Sequence, residues 1–250
     1  MKDQVALITG ASGGIGSVMA DQFAAAGAKV ILHYNSQKEK ADSLRKKLKG
    51  KGHITIGGDL TNPKDIDKIV ETALSAFGRI DILVNNAGIY FEHPIEKIDF
   101  AEWHSAWNKS INTNLMGPAN LTFIVAKEMI KQGHGKIINI SSRGAFRGEP
   151  TAPAYGASKA GMNAMGQSLA IALAPHNIFV YTIAPGFVET AMARPHLTGE
   201  RKKEILSQSP IGRVAKPEEI AKTALFLASK GTDLLTGCII DVNGASYLRS

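Results

Sequence analysis

Short apolar runs alternate along the chain with longer stretches in which apolar side chains recur every three or four residues. The runs Val5–Thr9, Val30–Tyr34, His53–Gly57, Ile82–Asn85, Ile137–Ser141, Phe179–Ala184 and Ile239–Val242 are short, β-branched-rich and apolar on both faces. Strands read this way when helices cover a parallel sheet from both sides. The helical period occupies 14–26, 38–49, 64–77, 108–131, 153–174 and 217–228, with Pro63 and Pro217 where a helix start accepts proline. Strand and helix in alternation predict βαβ units with right-handed crossovers. The expected architecture is one α/β domain over residues 1–250: a Rossmann-type, doubly wound parallel sheet of about seven strands with helices on both faces.

Composition supports one folded domain with a sizeable core and narrows its surroundings. Hydrophobic residues make up 44% and charged residues 20%, ordinary globular usage. Lys and Arg exceed Asp and Glu by 29 to 22, giving a formal charge of +7. The densest basic run, Arg45–Lys46–Lys47 with Lys49 and Lys51, shares a helical pattern with Leu44 and Leu48, so it reads as a solvated helix face. With the other lysines dispersed, no nucleic-acid partner is expected. The one cysteine, Cys238, excludes an intrachain disulfide and reads as a buried strand residue beside Ile239 and Ile240. Val5–Ile8 is too short for a signal-peptide core and no run approaches a membrane span, so a soluble cytoplasmic protein is expected, with no metal.

The first strand runs directly into Thr9-Gly10-Ala11-Ser12-Gly13-Gly14-Ile15-Gly16 and then into a helix. A dinucleotide pyrophosphate needs close backbone N–H groups and the positive end of a helix dipole, and glycine lets the backbone approach. Gly10, Gly14 and Gly16 have the spacing of such a three-glycine turn, though with three residues instead of one between the first two. At the end of the second strand, an acidic side chain would hold the adenosine ribose and repel a 2′-phosphate. Leu32-His33-Tyr34-Asn35-Ser36-Gln37-Lys38 has no carboxylate at the tip, and His33, Asn35 and Ser36 can donate to a phosphate. NADP(H) is therefore expected over NAD(H), which stays possible.

Tyr155 and Lys159 lie four apart in a helical pattern, on one face. A carbonyl that gains a hydride must take a proton, and an alcohol that loses one must surrender it. Tyrosine is a poor base at neutral pH, and bringing its pKa near neutrality takes about 3 to 4 kcal/mol of neighbouring positive charge. An adjacent ammonium can supply that order of energy. Ser142 ends the fifth strand, where such sheets bind ligands, and can hold a substrate oxygen. Its neighbour Ser141 is the rival.

Together these segments resemble the short-chain dehydrogenase/reductase family over essentially the whole chain. Thr9–Gly16 is similar to its glycine-rich turn, Asp59-Leu60 to its adenine-side pair, Asn85-Asn86-Ala87-Gly88 to its fourth-strand signature and Tyr155/Lys159 to its YxxxK motif. Pro185-Gly186 resembles the turn beside the nicotinamide, with Val188 and then Thr190 as carboxamide partner. The resemblance implies hydride transfer between a nicotinamide and a carbonyl or secondary alcohol. It makes Tyr155 the acid/base, Ser142 the substrate-oxygen donor and Lys159 the ribose ligand that lowers the phenol pKa. Asn114 would bend its helix and hold a proton-relaying water. It also adds Ser12, Gly13 and Ile15 to the cofactor set.

Within the family the chain looks most like 3-oxoacyl-acyl-carrier-protein reductases and related sugar or alcohol dehydrogenases. An acyl carrier protein is nevertheless doubtful on sequence, because Gly133 and His176 stand where those reductases usually place docking cations; Lys131 could substitute for the first. The segment Ile89–Trp107 is about four residues longer, and Tyr181 replaces an asparagine as a packing change. Residues 187–209, with Met192, Arg194, His196 and Arg201–Lys203, read as a substrate lid whose charges are solvated; Trp103 and Trp107 read as packing. Small and apolar faces on helices 108–131 and 153–174, including Ala160, Gly161, Ala164, Met165 and Ala172, imply a homotetramer, or failing that a dimer. The alternative to an enzyme is a catalytically weak nucleotide-binding sensor or partner protein of the same fold; such a protein need not keep Tyr155 or Lys159.

Overall fold

Val5, Ala6, Leu7 and Ile8 are all buried, and their side chains divide between two cores. Ala6 and Ile8 pack on one side of the sheet with Met19, Phe23, Ile220 and Leu227; Val5 and Leu7 pack on the other with Ile66, Ile69, Leu121 and Val125. A strand with a core on each face is the arrangement the doubly apolar runs predict. The computed structural model describes residues 1–249, without the side chain of His196.

Seven strands, β1 (Val5–Ile8), β2 (Lys29–Tyr34), β3 (Ile54–Gly57), β4 (Ile82–Asn85), β5 (Gly135–Ile140), β6 (Ile178–Pro185) and β7 (Ile239–Val242), form one parallel sheet in the order β3-β2-β1-β4-β5-β6-β7. The order reverses between β1 and β4, which opens a crevice at their carboxyl ends. Helices α1 (Gly14–Ala25) and α9 (Pro217–Ala228) pack together on the first core, beside α2 (Lys38–Lys47); α3 (Pro63–Phe77), α5 (Gly117–Gln132) and α7 (Pro153–Leu173) cover the second. Pro63 and Pro217 occupy helix starts, and Asn62 caps α3 by accepting from Lys64 N at 3.1 Å.

The helix expected at 108–131 begins earlier and is interrupted. A capping box of Asp99 and Glu102 starts α4 (Phe100–Ile111). A π-helical segment, Asn112–Met116, then leads into α5. After β5 comes the short α6 (Gly144–Arg147), and residues 187–209 hold a 3₁₀ turn at Arg194–His196 and the helix α8 (Gly199–Ser207). Cys238 precedes β7 and is half-buried, outside the strand in which the sequence placed it. No helix among the described residues is long and apolar enough to cross a membrane.

Candidate active site

The crevice floor is built from the turn after β1 and the segment after β4. Gly10 has φ of +64°, and a Cβ there would lie 3.0 Å from Ala87 Cα. At Gly16 a Cβ would come within 2.4 Å of the Gly10 carbonyl oxygen, so only glycine fits. Gly13 differs: its backbone is extended and a Cβ would meet nothing within 4 Å. The protein itself does not require glycine there, but a ligand lying on the turn would.

Thr9, which sequence reasoning did not single out, ties the two segments. Its Oγ1 donates to Val84 O and accepts from the N–H groups of Asn86 and Ala87 at 2.9 and 3.0 Å. Asn86 Nδ2 donates to Thr9 O at 2.8 Å, so this side chain shapes the glycine turn. Ser12 and Ile15 are half-buried on the turn, and Thr190 lies over it, its Cγ2 3.6 Å from a Cβ at Gly14. Leu60, after β3, is buried, and Asp59 Oδ1 accepts from the N–H and Oγ1 of Thr61, at 2.8 and 2.9 Å.

Asn35 and Ser36 are exposed beyond β2, available to a ligand. His33 is not. Its Nδ1 accepts from Gly10 N at 3.3 Å, so Nε2 carries the proton and donates to Gly58 O at 3.0 Å. Burial lowers its pKa and favours this neutral form. His33 therefore braces the glycine turn and offers nothing to a phosphate.

The second group of residues lies across Gly88. A Cβ at Gly88 would stand 3.2 Å from Asn114 Oδ1 and 3.5 Å from Lys159 Nζ. Asn114 is fully buried in the π-helical segment; its Oδ1 accepts from Ile89 N at 2.8 Å, and its Nδ2 donates to Ile89 O at 3.0 Å and Ser158 Oγ at 3.2 Å. Lys159 donates to Ile140 O at 2.8 Å, and its Nζ is 5.9 Å from the centre of the Tyr155 ring. The rival serines separate: Ser141 Oγ is buried and donates to Lys159 O, whereas Ser142 hydrogen-bonds Tyr155 and accepts from Gly144 N at 3.0 Å.

Electrostatics depart from the sequence expectation. Burial pushes the Tyr155 phenol up to about 12, against the hydrogen bond from Ser142, and pushes Lys159 down to about 8. Desolvation, with the charges of Glu149 and Tyr90, thus keeps Tyr155 protonated at neutral pH.

Two further residues, Tyr90 and Glu149, act on the phenol, and a third, His93, acts on the backbone beside it. The Tyr90 ring meets that of Tyr155 edge-on at 5.1 Å. Glu149, half-buried with its pKa raised by burial, acts on both tyrosines through its charge. His93 fastens the loop after β4 to the start of α7. Adjacency to Asn86–Gly88 or to Tyr155 in sequence was the available signal.

Pro185 ends β6 and accepts from Arg143 N at 2.8 Å, Gly186 N donates to Val242 O at 3.0 Å, and the buried Val188 bridges to Ala215. Arg201 of α8 is exposed, as are Lys202 and Lys203, and it pairs with Glu92 at 2.5 Å. The expectation for His196 lies outside the described side chains. Trp103 and Trp107 pack together, ring centres 5.7 Å apart. Tyr181 is fully buried with its hydroxyl on Thr232 O at 3.2 Å.

A sequence model of the family described as short chain dehydrogenase matches residues 4–201. The chain belongs to that family. It is an oxidoreductase. It is 40% identical over 246 residues to the 3-oxoacyl-[acyl-carrier-protein] reductase FabG of Thermotoga maritima, covering 98% of each chain, and 39% identical to the FabG of Escherichia coli at the same coverage. It is also 36% identical over 250 residues to the (2S)-[(R)-hydroxy(phenyl)methyl]succinyl-CoA dehydrogenase subunit BbsD of Thauera aromatica, covering 99% of this chain and 98% of the other. Among solved structures it resembles the 3-ketoacyl-(acyl-carrier-protein) reductase from Brucella melitensis complexed with NADH, with a TM-score of 0.89, 32% identity and 99% of each chain covered.

Proposed function

We propose that this oxidoreductase transfers a hydride between a nicotinamide cofactor and a carbonyl or secondary alcohol, with Tyr155 as the proton donor and acceptor. The observation that carries this reading is the meeting of Ser142, Tyr155 and Lys159 beside Gly88, at the carboxyl ends of strands next to the glycine turn. The open space at Gly13 and the exposed Asn35 and Ser36 fit a dinucleotide along the crevice. In this reading Gly10, Ser12, Gly13, Gly14, Ile15 and Gly16 border the pyrophosphate, Asp59 and Leu60 the adenine, and Asn86, Ala87 and Gly88 the ribose side. Pro185, Gly186, Val188 and Thr190 border the nicotinamide. When bound, the cofactor supplies or accepts the hydride.

Ser142 holds the substrate oxygen while Tyr155 passes it a proton, and Lys159 holds the ribose and, through Asn114, the way to solvent. The absence of a carboxylate at the tip of β2 supports NADP(H) over NAD(H), with Asn35 and Ser36 as phosphate ligands. A 3-oxoacyl thioester is the leading substrate class, because the similar FabG proteins are named for one carrier-bound form and BbsD for a coenzyme A ester. The doubt that the sequence cast on a carrier protein is thereby outweighed, although Lys131 is engaged with Glu128 at 2.6 Å. The exposed Phe123 and Ile171, on α5 and α7, support a homotetramer through those helices, with a dimer as the smaller alternative. A Cβ at Gly161 would lie 2.8 Å from Leu115 Cδ2, so glycine there admits close packing within the chain as well. A cytoplasmic location goes with this reading.

The test is absorbance at the nicotinamide band with NADPH or NADH and 3-oxoacyl thioesters, ketones and aldehydes. Turnover with NADPH saturating at lower concentration than NADH is expected; equal saturation defeats the NADP preference, and full turnover by Tyr155→Phe defeats the mechanism.

A further inference from the structure

The turn after β5 sends two consecutive side chains to different places. Ser142 faces Tyr155, whereas Arg143 runs beneath the lid, its guanidinium 5.0 Å from the centre of the Phe187 ring. Arg143 is only 4% exposed. Its Nη2 donates to Gln208 Oε1 at 2.7 Å, and the same oxygen accepts from Arg147 Nη1 at 2.7 Å. Two guanidinium groups thus share one neutral acceptor, and no carboxylate hydrogen-bonds Arg143 among the described residues. A guanidinium carries five donors, and Nη2 to Gln208 is the one side-chain hydrogen bond that Arg143 makes among the described residues, which leaves donors available to a ligand. Burial accordingly lowers the Arg143 pKa, with the Arg147 charge adding to the effect and Glu149 opposing it.

Arg143 borders a cavity of about 250 Å³. Phe187, Ile205 and Ser209 from the lid region form one side, and Asn243 and Ser246 beyond β7 form the other. The hydroxyls of Ser209 and Ser246 are buried with no hydrogen-bond partner, and Ser209 is only 9% exposed. Two carboxylates on the same wall are already neutralised, Asp241 by Arg249 and Glu219 by Arg213, each at 2.7 Å. The cavity therefore combines a buried cation that no carboxylate hydrogen-bonds among the described residues with unsatisfied hydroxyl donors. None of Gly10 to Gly16 lines it, so it is separate from the glycine turn.

We propose that this cavity binds a small oxyanion-bearing molecule, a carboxylate or a phosphate ester, whose oxygens accept from Arg143, Ser209 and Ser246. The volume equals that of about eight waters at ~30 Å³ each, enough for an organic acid of a few carbons. A ligand held between Ser209 and Asn243 ties the lid to the sheet edge, so it stabilises the lid in the arrangement seen here.

Calorimetric titration and thermal shift of the full-length protein test this with inorganic phosphate and with malonate, at ionic strength held constant by chloride. Saturable binding of at least one probe, with a rise in Tm, is expected. Arg143→Met weakens it at least tenfold and Ser209→Ala several-fold, while Gly13→Ala leaves it unchanged and so separates this site from anion binding at the glycine turn. If Arg143→Met does not fold, Ser209→Ala and Ser246→Ala provide the comparison. Binding of phosphate alone assigns a phosphate ester and of malonate alone a carboxylate. No saturable binding of either probe overturns the proposal, as does binding that Arg143→Met leaves intact or that only Gly13→Ala removes.

Discussion

The backbone N–H of Ala154 donates to Nε2 of His93 at 3.2 Å, one residue before Tyr155. The ring's Nδ1 is 3.1 Å from the Phe91 carbonyl, so the proton sits on Nδ1 and Nε2 is a neutral acceptor. His93 N also donates to Thr151 O at 2.7 Å. A loop more than fifty residues upstream thus pins the start of α7, and with it the tyrosine. His93→Phe keeps a ring against Trp103 but leaves the Ala154 N–H without its acceptor. We predict a loss of about 1 to 3 kcal/mol in stability and a fall in kcat with KM less affected. Denaturant melts and steady-state kinetics check both, and an unchanged kcat excludes the positioning role.

Tyr155→Phe and Ser142→Ala are expected to lower kcat by roughly 10²- to 10⁴-fold, the range that a positioned proton donor supplies. Binding of the cofactor, followed by nicotinamide fluorescence, should change little for Ser142→Ala. If Ser142→Ala retains parental turnover while Ser141→Ala loses it, the two serines have been assigned the wrong way round.

The opposed pKa shifts set the pH behaviour. With the phenol pushed up to about 12, reduction of a carbonyl keeps its proton donor through neutral pH, so its rate should stay flat there and decline only in alkali. Alcohol oxidation needs the phenolate and should climb as pH rises. For stability the signs differ. Lys159, depressed from 10.5 to about 8, costs stability below pH 8, and that cost disappears as pH rises to about 10.5 because the unfolded chain holds the extra proton in that window. Tyr155, raised from 10.0, gives stability that is present below pH 10 and lost toward pH 12. The Tm of Lys159→Met relative to the parent should therefore be most favourable below pH 8 and least so near pH 10; a gap independent of pH contradicts the shift.

Glycines of the same turn should separate fold from binding. Gly16→Ala forces a Cβ into the Gly10 carbonyl and should lower Tm by several degrees or prevent folding. Gly13→Ala meets only open space, so its Tm should match the parent while its Kd for NADPH rises at least tenfold. Parental affinity in Gly13→Ala moves the pyrophosphate away from this residue.

Much of this was legible because the chemistry is written locally. Two-faced apolar strands, the glycine turn and the Tyr155–Lys159 spacing each lie within a few consecutive residues. The fourth helix was misplaced because the π-helical turn adds a residue to the period and hides the join, although the Asp99–Glu102 box marked the true start. Helix α8 was missed because its charged sequence buries only Ile205. Tyr90, His93 and Glu149 were invisible as site residues because their contacts with α7 are tertiary. The residues alone left Ser141 as a rival to Ser142, because which of the two meets Tyr155 and which meets the Lys159 carbonyl is a tertiary matter. Spacing reveals the ammonium beside the phenol but not the burial that raises its pKa in the protein alone.

The wide turn at Asn112–Met116 has a mechanical consequence. Each residue advances an α-helix by about 100°, so one extra residue re-indexes everything that follows. On the near side of the turn the rod meshes with α7; on the far side it meshes with α3 and the sheet. One length of chain is geared to two neighbours at once, and trimming a single residue there would keep one mesh only at the expense of the other.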